Sequence, residues 1–196
     1  MSTKEKYFSR LFAASFLAVA LNVFGIAGQA HSRPMALYLS GGISDPTGEL
    51  ATGMEVGYHG AAKLGFQLEP RTEFLIGGEF HSMPTDHNRL PDVNANFRAI
   101  MIGFDVKINV GIPEDPIVPF LVVGGGYANI DFSDTLTQIS GGSSFKADSD
   151  SQSYFELGGG FEIKRAFALI RFVNIFTQQA DGRFISIGIG YKLPLL

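Results

Sequence analysis

From Met35 onward, apolar and polar side chains alternate along most of the chain with a period of two. The clearest run is 153–163. Phe155, Leu157, Gly159, Phe161 and Ile163 fall on one face, and Tyr154, Glu156, Gly158, Gly160 and Glu162 on the other. Side chains with this period belong to a strand with one apolar and one polar face. A turn at Lys164-Arg165 then reverses the chain into a second apolar run carrying a single charge, Arg171.

The same pattern recurs on both sides of this hairpin. Leu37 and Leu39 oppose Tyr38 and Ser40 in 35–44, and Ala62, Leu64, Phe66 and Leu68 oppose Lys63, Gly65 and Gln67 in 59–68. In 72–83, Phe74, Ile76, Gly78 and Phe80 face away from Glu73, Leu75, Gly77, Glu79 and His81. In 96–108, Ile100, Ile102, Phe104, Val106 and Ile108 face away from Ala99, Met101, Gly103, Asp105 and Lys107. The closing run, 183–193, sets Ile185, Ile187, Ile189, Tyr191 and Leu193 against Ser186, Gly188, Gly190 and Lys192. In 118–130 both faces are apolar or small, so periodicity does not assign them.

These segments predict eight strands and no helical periodicity after residue 30. Long connections are expected at 45–58, 84–95 and 131–152, with a short one and a moderate, Pro-rich one between them and short ones after, which is the rhythm of an up-and-down barrel. Strands of about 9–11 tilted residues also match the apolar thickness of a bilayer. The fold class expected is all-β: an eight-stranded antiparallel up-and-down transmembrane barrel preceded by a signal peptide. A sheet in lipid must close, because an open edge would leave backbone groups unpaired.

Charge decides between a soluble barrel and a membrane barrel. With Lys164 and Arg165 as a two-residue turn, Gly158 lies opposite Arg171 and Glu156 is its diagonal neighbour, on the face that also carries Glu162. A three-residue turn would turn Arg171 into lipid, at about 2–4 kcal/mol near the midplane. The same parity sends Lys63, Glu79, Asp105 and Lys192 inward. Charges inside and aliphatic residues outside are the reverse of a soluble barrel. A soluble lipocalin-like carrier would instead need an apolar lumen, and those carriers usually have a Trp on the first strand; this chain has no Trp.

The N-terminus has the three-part plan of a secretory signal. Lys4, Lys6 and Arg10 lead, Leu11 to Ile26 is largely apolar, and Gly28-Gln29-Ala30 offers a small-residue cleavage site. The expected domains are therefore a signal peptide, 1–30, and a barrel, 31–196. Cleavage removes three of 15 basic residues and one of 19 acidic ones, leaving 12 and 18, a net charge of −6. With no basic run, a nucleic-acid partner is not expected. With no Cys, disulfides, thiol nucleophiles and thiolate metal sites are excluded.

The chain resembles the small eight-stranded outer-membrane barrels of the OmpA/OmpX and opacity-protein kind. The likeness is carried by GGISDPTGEL after the first strand, the pair VVGGGYANI and ELGGGFEIK, and the closing GIGYKL. It covers nearly all of 35–193. The resemblance implies the bacterial outer membrane as location, with outer-membrane lipid, lipopolysaccharide and the barrel-assembly machinery as partners. It also implies a structural, surface-adhesion or minor-pore role, with a host or surface ligand held by the outer loops.

No cofactor is expected, and no enzymatic site. Glu156, Arg171, Glu79, Lys63 and Asp105 form a predicted lumen cluster, either structural or a gate. The most enzyme-like set is His81-Ser82 with Glu79, Asp86 and His87, which suggests as an alternative a lipid A deacylase of the PagL type. Adjacent residues of a strand point to opposite faces, however, so His81 and Ser82 should not meet. The 131–152 segment carries Asp131, Asp134, Asp148 and Asp150, but not the ligand offsets of a calcium loop, so no metal is expected. The triple glycines at 124–126 and 158–160 are read as a bend or close packing at a barrel wall. Tyr127, Tyr154 and Tyr191 are expected in interfacial girdles.

Overall fold

The structure, a computed structural model, describes residues 34–89, 94–111, 115–135, 150–177 and 182–195; the predicted signal segment lies outside them. The strands are β1 (Met35–Thr47), β2 (Gly57–Glu69), β3 (Thr72–Pro84), β4 (Asn94–Asn109), β5 (Val118–Thr135), β6 (Asp150–Ile163), β7 (Ala166–Ile175) and β8 (Gly182–Pro194). They form one closed barrel in chain order, every pair antiparallel, with β1 and β8 meeting at the seam. A short 3-10 turn, Leu50–Thr52, lies between β1 and β2.

The hairpin between β6 and β7 has the register expected of a two-residue turn, with Ile163 opposite Ala166 and Gly158 opposite Arg171. Lys164 takes the left-handed conformation (φ 57°) that such a tight reversal uses. The tight turns at 70–71 and 164–165 lie at one end of the barrel, and the strand ends Thr47, Gly57, Pro84, Asn94, Thr135 and Asp150 at the other.

The strands outrun the alternation that predicted them. The three expected loops shrink because Asp45–Thr47 stay in β1, β4 opens at Asn94, β5 continues to Thr135 and β6 opens at Asp150. Asp45-Pro46 reads as a turn, yet both residues pair with β8, opposite Ile185 and Phe184. Pairing with β2 has stopped at Ser44, so Pro46 sits where β1 is flanked on one side only and a missing N–H is tolerated. Asp131 and Asp134 likewise lie on β5 and Asp150 on β6, so these aspartates do not share a loop; Asp148 lies outside the described residues.

Outward positions are aliphatic and exposed around the whole wall: Ile76, Ile102, Leu157, Ile170 and Ile189 are examples, the last 74% exposed. Strand β5 acquires its faces here. Leu121, Val123 and Tyr127 point out, while Phe120, Val122 and Ala128 point in. The interior is filled in layers. At the loop end Met83, Phe97, Met101, Tyr154, Val173, Ile175 and Phe184 pack together, with Leu50 and Met54 of the first loop against them. Nearer the turns, Tyr38, Leu75, Phe120, Val122 and Phe167 make a second apolar layer. Tyr127 and Tyr191 do face outward, but Tyr154 is fully buried in the lumen and belongs to no girdle. Its position, one residue before Glu156 in the inward series, leaves it no other choice.

Candidate functional site

Between the two apolar layers lie all five predicted lumen residues. Lys63 on β2 reaches Glu79 on β3 at 2.5 Å, Asp105 on β4 at 2.5 Å and Glu156 on β6 at 3.0 Å. Arg171 on β7 donates to Glu156 at 2.8 Å and to Glu79 through both terminal nitrogens, Nη2 at 2.8 Å. Each of the five is almost wholly buried. Two cations thus meet three carboxylates in an almost wholly buried layer, where an uncompensated charge would be costly.

Glycines make this layer possible. Gly158 lies opposite Arg171, Gly77 opposite Lys63, and Gly124 opposite both Asp105 and Glu156. A Cβ on Gly124 would stand 2.1 Å from Asp105 Oδ1, and one on Gly158 2.6 Å from Arg171 Cγ. The glycine triplets are therefore the spaces into which the charged side chains fold, as close packing at the wall requires.

A second ionic cluster closes the turn end. Lys192 binds Glu73 at 2.7 Å, Lys107 binds Glu162, and the crossed pairs are 3.6 and 3.7 Å apart. Tyr38 donates its hydroxyl to Glu73, and Lys107 Nζ lies 4.9 Å from the centre of the Phe120 ring. Parity placed Lys192 inward; that four charges from four strands, β3, β4, β6 and β8, would gather here needed the closed register. An interior cavity of ≈ 40 Å³ lies between the two ionic layers, bordered by Lys63, Asp105, Lys107, Phe120 and Arg171 among others. It is room for one or two waters, and too small for a solute.

On the loop side of the central layer, His81 contacts Glu79 through Nε2 at 3.2 Å and Ser44 through Nδ1 at 2.9 Å. Ser44 also meets His59 Nδ1 at 3.3 Å, and the two imidazoles stack with centroids 5.2 Å apart. The sequence singled out Ser82 as the partner of His81, but β3 continues through both residues and turns them to opposite faces. Asp86 is taken up by Arg89 and by the Asn88 N–H instead. Ser44 was not foreseen, because 37 residues separate it from His81 and only barrel closure brings them together. Among the described residues no group of three His, Asp or Glu is placed to hold a metal ion.

No protein-family model matches the chain, and no curated protein matches it in sequence. Solved structures match in fold. Neisserial surface protein A superposes with a TM-score of 0.58 at 12% identity, covering 82% of this chain and 97% of that one. The chain has the fold of the small eight-stranded outer-membrane barrels. Two Pseudomonas aeruginosa barrels of this fold give lower scores. They are the outer membrane protein OprG (0.49, 14% identity, 82% of this chain and 97% of that one) and the N-terminal barrel domain of OprF (0.48, 12%, 81% and 97%). The outer-membrane fold accounts for the inverted polarity of the wall. An exposed apolar belt on every strand is a liability in water and the ordinary surface of a barrel in lipid.

Proposed function

We propose that this protein is an outer-membrane barrel with a sealed lumen. It acts through its lipid-facing wall and its loop end, as an envelope-structural or surface-adhesion protein, and neither conducts solutes nor catalyses a reaction. The observation that carries this reading is the filled interior: two apolar layers and two ionic layers, with a cavity of only ≈ 40 Å³ between the latter. An eight-stranded barrel is just wide enough for its own side chains to plug it. In this reading residues 1–30 direct export, the barrel-assembly machinery inserts the chain, the short turns face the periplasm, and the connections 48–56, 85–93 and 136–149 meet lipopolysaccharide and any surface ligand.

The central charges are accordingly packing and not a gate. A gate would need Arg171 free to swing, and its guanidinium is already held by Glu79, Glu156 and Ser186. The test is planar-bilayer recording on protein purified from outer membranes of a Gram-negative host. The expected result is no conductance steps above the empty bilayer. Reproducible unitary steps, abolished in an Arg171→Met variant, would overturn the sealed-lumen reading.

The order Ser44–His81–Glu79 has the sequence of roles found in serine hydrolases, nucleophile to base to carboxylate, and so favours the lipid A deacylase alternative more than Ser82 does. Against it, Ser44 is fully buried, and Glu79 is held by Arg171 and Lys63. A nucleophile needs a site about 3 Å away where a reacting atom can sit. The cavity described above does not border Ser44. Outer membranes with and without the protein are expected to give the same lipid A acylation profile.

A further inference from the structure

Six buried side chains on the loop side of the central layer close into a ring. Glu79 meets His81 at 3.2 Å, His81 meets Ser44 at 2.9 Å, and Ser44 meets His59 at 3.3 Å. His59 Nε2 meets Ser186 at 3.5 Å, Ser186 accepts from Arg171 at 3.3 Å, and Arg171 returns to Glu79. Ser44 on β1 and Ser186 on β8 are direct partners across the seam, and His59 on β2 holds one with each ring nitrogen. Gly188 leaves the space for this imidazole, since a Cβ there would stand 2.9 Å from His59 Nε2.

We infer that His59 is a clamp on the barrel seam, held in the Nδ1–H tautomer by a hydrogen-bonded chain that runs in one direction from Arg171 to Glu79 and that the direct Arg171–Glu79 pair closes into a ring. The direction follows from counting hydrogens. An ionised carboxylate only accepts, so His81 donates to Glu79 from Nε2. Neutral His81 then has a bare Nδ1, which takes the hydroxyl hydrogen of Ser44. Ser44 has no second hydrogen, so its bond to His59 is donated by His59 Nδ1–H. Neutral His59 has a bare Nε2, which takes the hydroxyl hydrogen of Ser186, and Ser186 is free to accept from the donor-only Arg171. Within the ring every contact receives one hydrogen, and the backbone of Ile43 is a further hydrogen-bond partner of His59 outside it.

A charged histidine breaks this count. An added proton on His81 would turn Nδ1 into a donor, reverse both serines, and leave the Ser186 hydrogen with no acceptor in the ring. It would also set a third cation beside Arg171 and Lys63. The ring links the second, third and seventh strands to the first and last, and those two meet only when the barrel closes. The clamp is therefore assembled by closure, and it resists opening at the one strand pair that no hairpin turn joins.

Two-bond proton–nitrogen correlation spectra of ¹⁵N-labelled protein in nanodiscs at neutral pH read the tautomers directly, with His87→Gln, His59→Gln and His81→Gln samples for assignment. The expected result is Nδ1–H at His59 and Nε2–H at His81. The opposite tautomer or a cation at either residue would overturn the ring. A second measurement reads the clamp as an opening rate in urea. Ser44→Ala and Ser186→Ala should each speed opening, and the double variant should open less fast than the product of the two effects predicts, because the first break already slackens the ring. Multiplying effects, or single variants that open at the wild-type rate, would overturn the clamp.

Discussion

Replacing Arg171 by Met tests whether the central layer is buried in the energetic as well as the geometric sense. The guanidinium is 2% exposed and holds Glu79 by two contacts and Glu156 by one. Met fills a similar length without charge. Lys63 is then left alone against Glu79, Asp105 and Glu156, all still within 3.0 Å of its ammonium. Removing one partner of a buried pair costs about 3–5 kcal/mol. Because Lys63 continues to serve all three carboxylates, the loss expected is near the lower end, about 3 kcal/mol. A second substitution, Glu79→Gln, restores the original excess of one negative charge. The double variant should regain more than half of that loss, since replacing a whole buried pair is often close to neutral.

Urea unfolding in lipid vesicles measures both effects. Folded fraction is read from mobility on unboiled gels and from far-ultraviolet circular dichroism, the chain having no Trp to follow by fluorescence. An Arg171→Met loss below about 1 kcal/mol would mean that the pair behaves as a solvated surface pair. The sealed-lumen reading would then be wrong. A double variant no better than Arg171→Met would show that Glu79 does not depend on that cation.

Other perturbations test other surfaces. Ile102→Arg, at a position 66% exposed on the outer wall, should cost about 2–4 kcal/mol if that face lies in lipid, and Ile108→Arg near the turn end no more than about 1 kcal/mol; equal costs in vesicle unfolding would remove the lipid-facing assignment. Gly124→Ala, whose Cβ would strike Asp105 Oδ1 at 2.1 Å and Phe104 O at 2.6 Å, should destabilise by about 1–3 kcal/mol in the same assay, whereas Gly60→Ala, with its nearest neighbour at 3.9 Å, should be near neutral. A fluorophosphonate probe should leave Ser44 unlabelled in the folded protein; labelling lost in Ser44→Ala would revive the hydrolase reading.

Legibility in the sequence followed charge. Where one face of a strand carried Lys, Glu or Asp, as in β2, β3, β4, β6 and β8, parity alone told inside from outside, and four of the five residues of the central layer follow from it; Arg171 on β7 needed the two-residue turn as well. It failed on β5 because Phe120 and Val122 fill the lumen while Leu121 and Val123 meet the exterior, and nothing in composition separates filling from facing lipid. Strand ends were read short for a related reason. Asp45, Pro46, Asp131 and Asp150 are turn formers, and their place in the ladder is set by the partner strand and not by their own preference. Ser44, His59 and Ser186 could not be grouped at all, since their meeting needs the register of the first, second and last strands at once.

That asymmetry points to what the lumen charges are for. A buried ion pair is weak evidence for stability, because desolvation offsets much of the attraction. Register is another matter. A slip of one residue turns every side chain of a strand to the other face. In a barrel with aliphatic residues on both faces such a slip would go almost unpunished, since lipid and a packed lumen accept the same side chains. With Lys63, Glu79, Asp105, Glu156 and Arg171 on five different strands, a slip in any of them drives a charge into lipid, at a cost of up to about 2–4 kcal/mol for a basic residue near the midplane and less for an acidic one. Strand β5 has no charge turned inward at this level. It lies between β4 and β6, which carry Asp105 and Glu156, and Gly124 is opposite both. A side chain at that position would collide with Asp105, so β5 is registered by a gap where its neighbours are registered by charge. The glycine triplet and the ionic layer are two halves of one device for choosing a single alignment, and on this account Gly124→Ala should disturb strand alignment as well as stability.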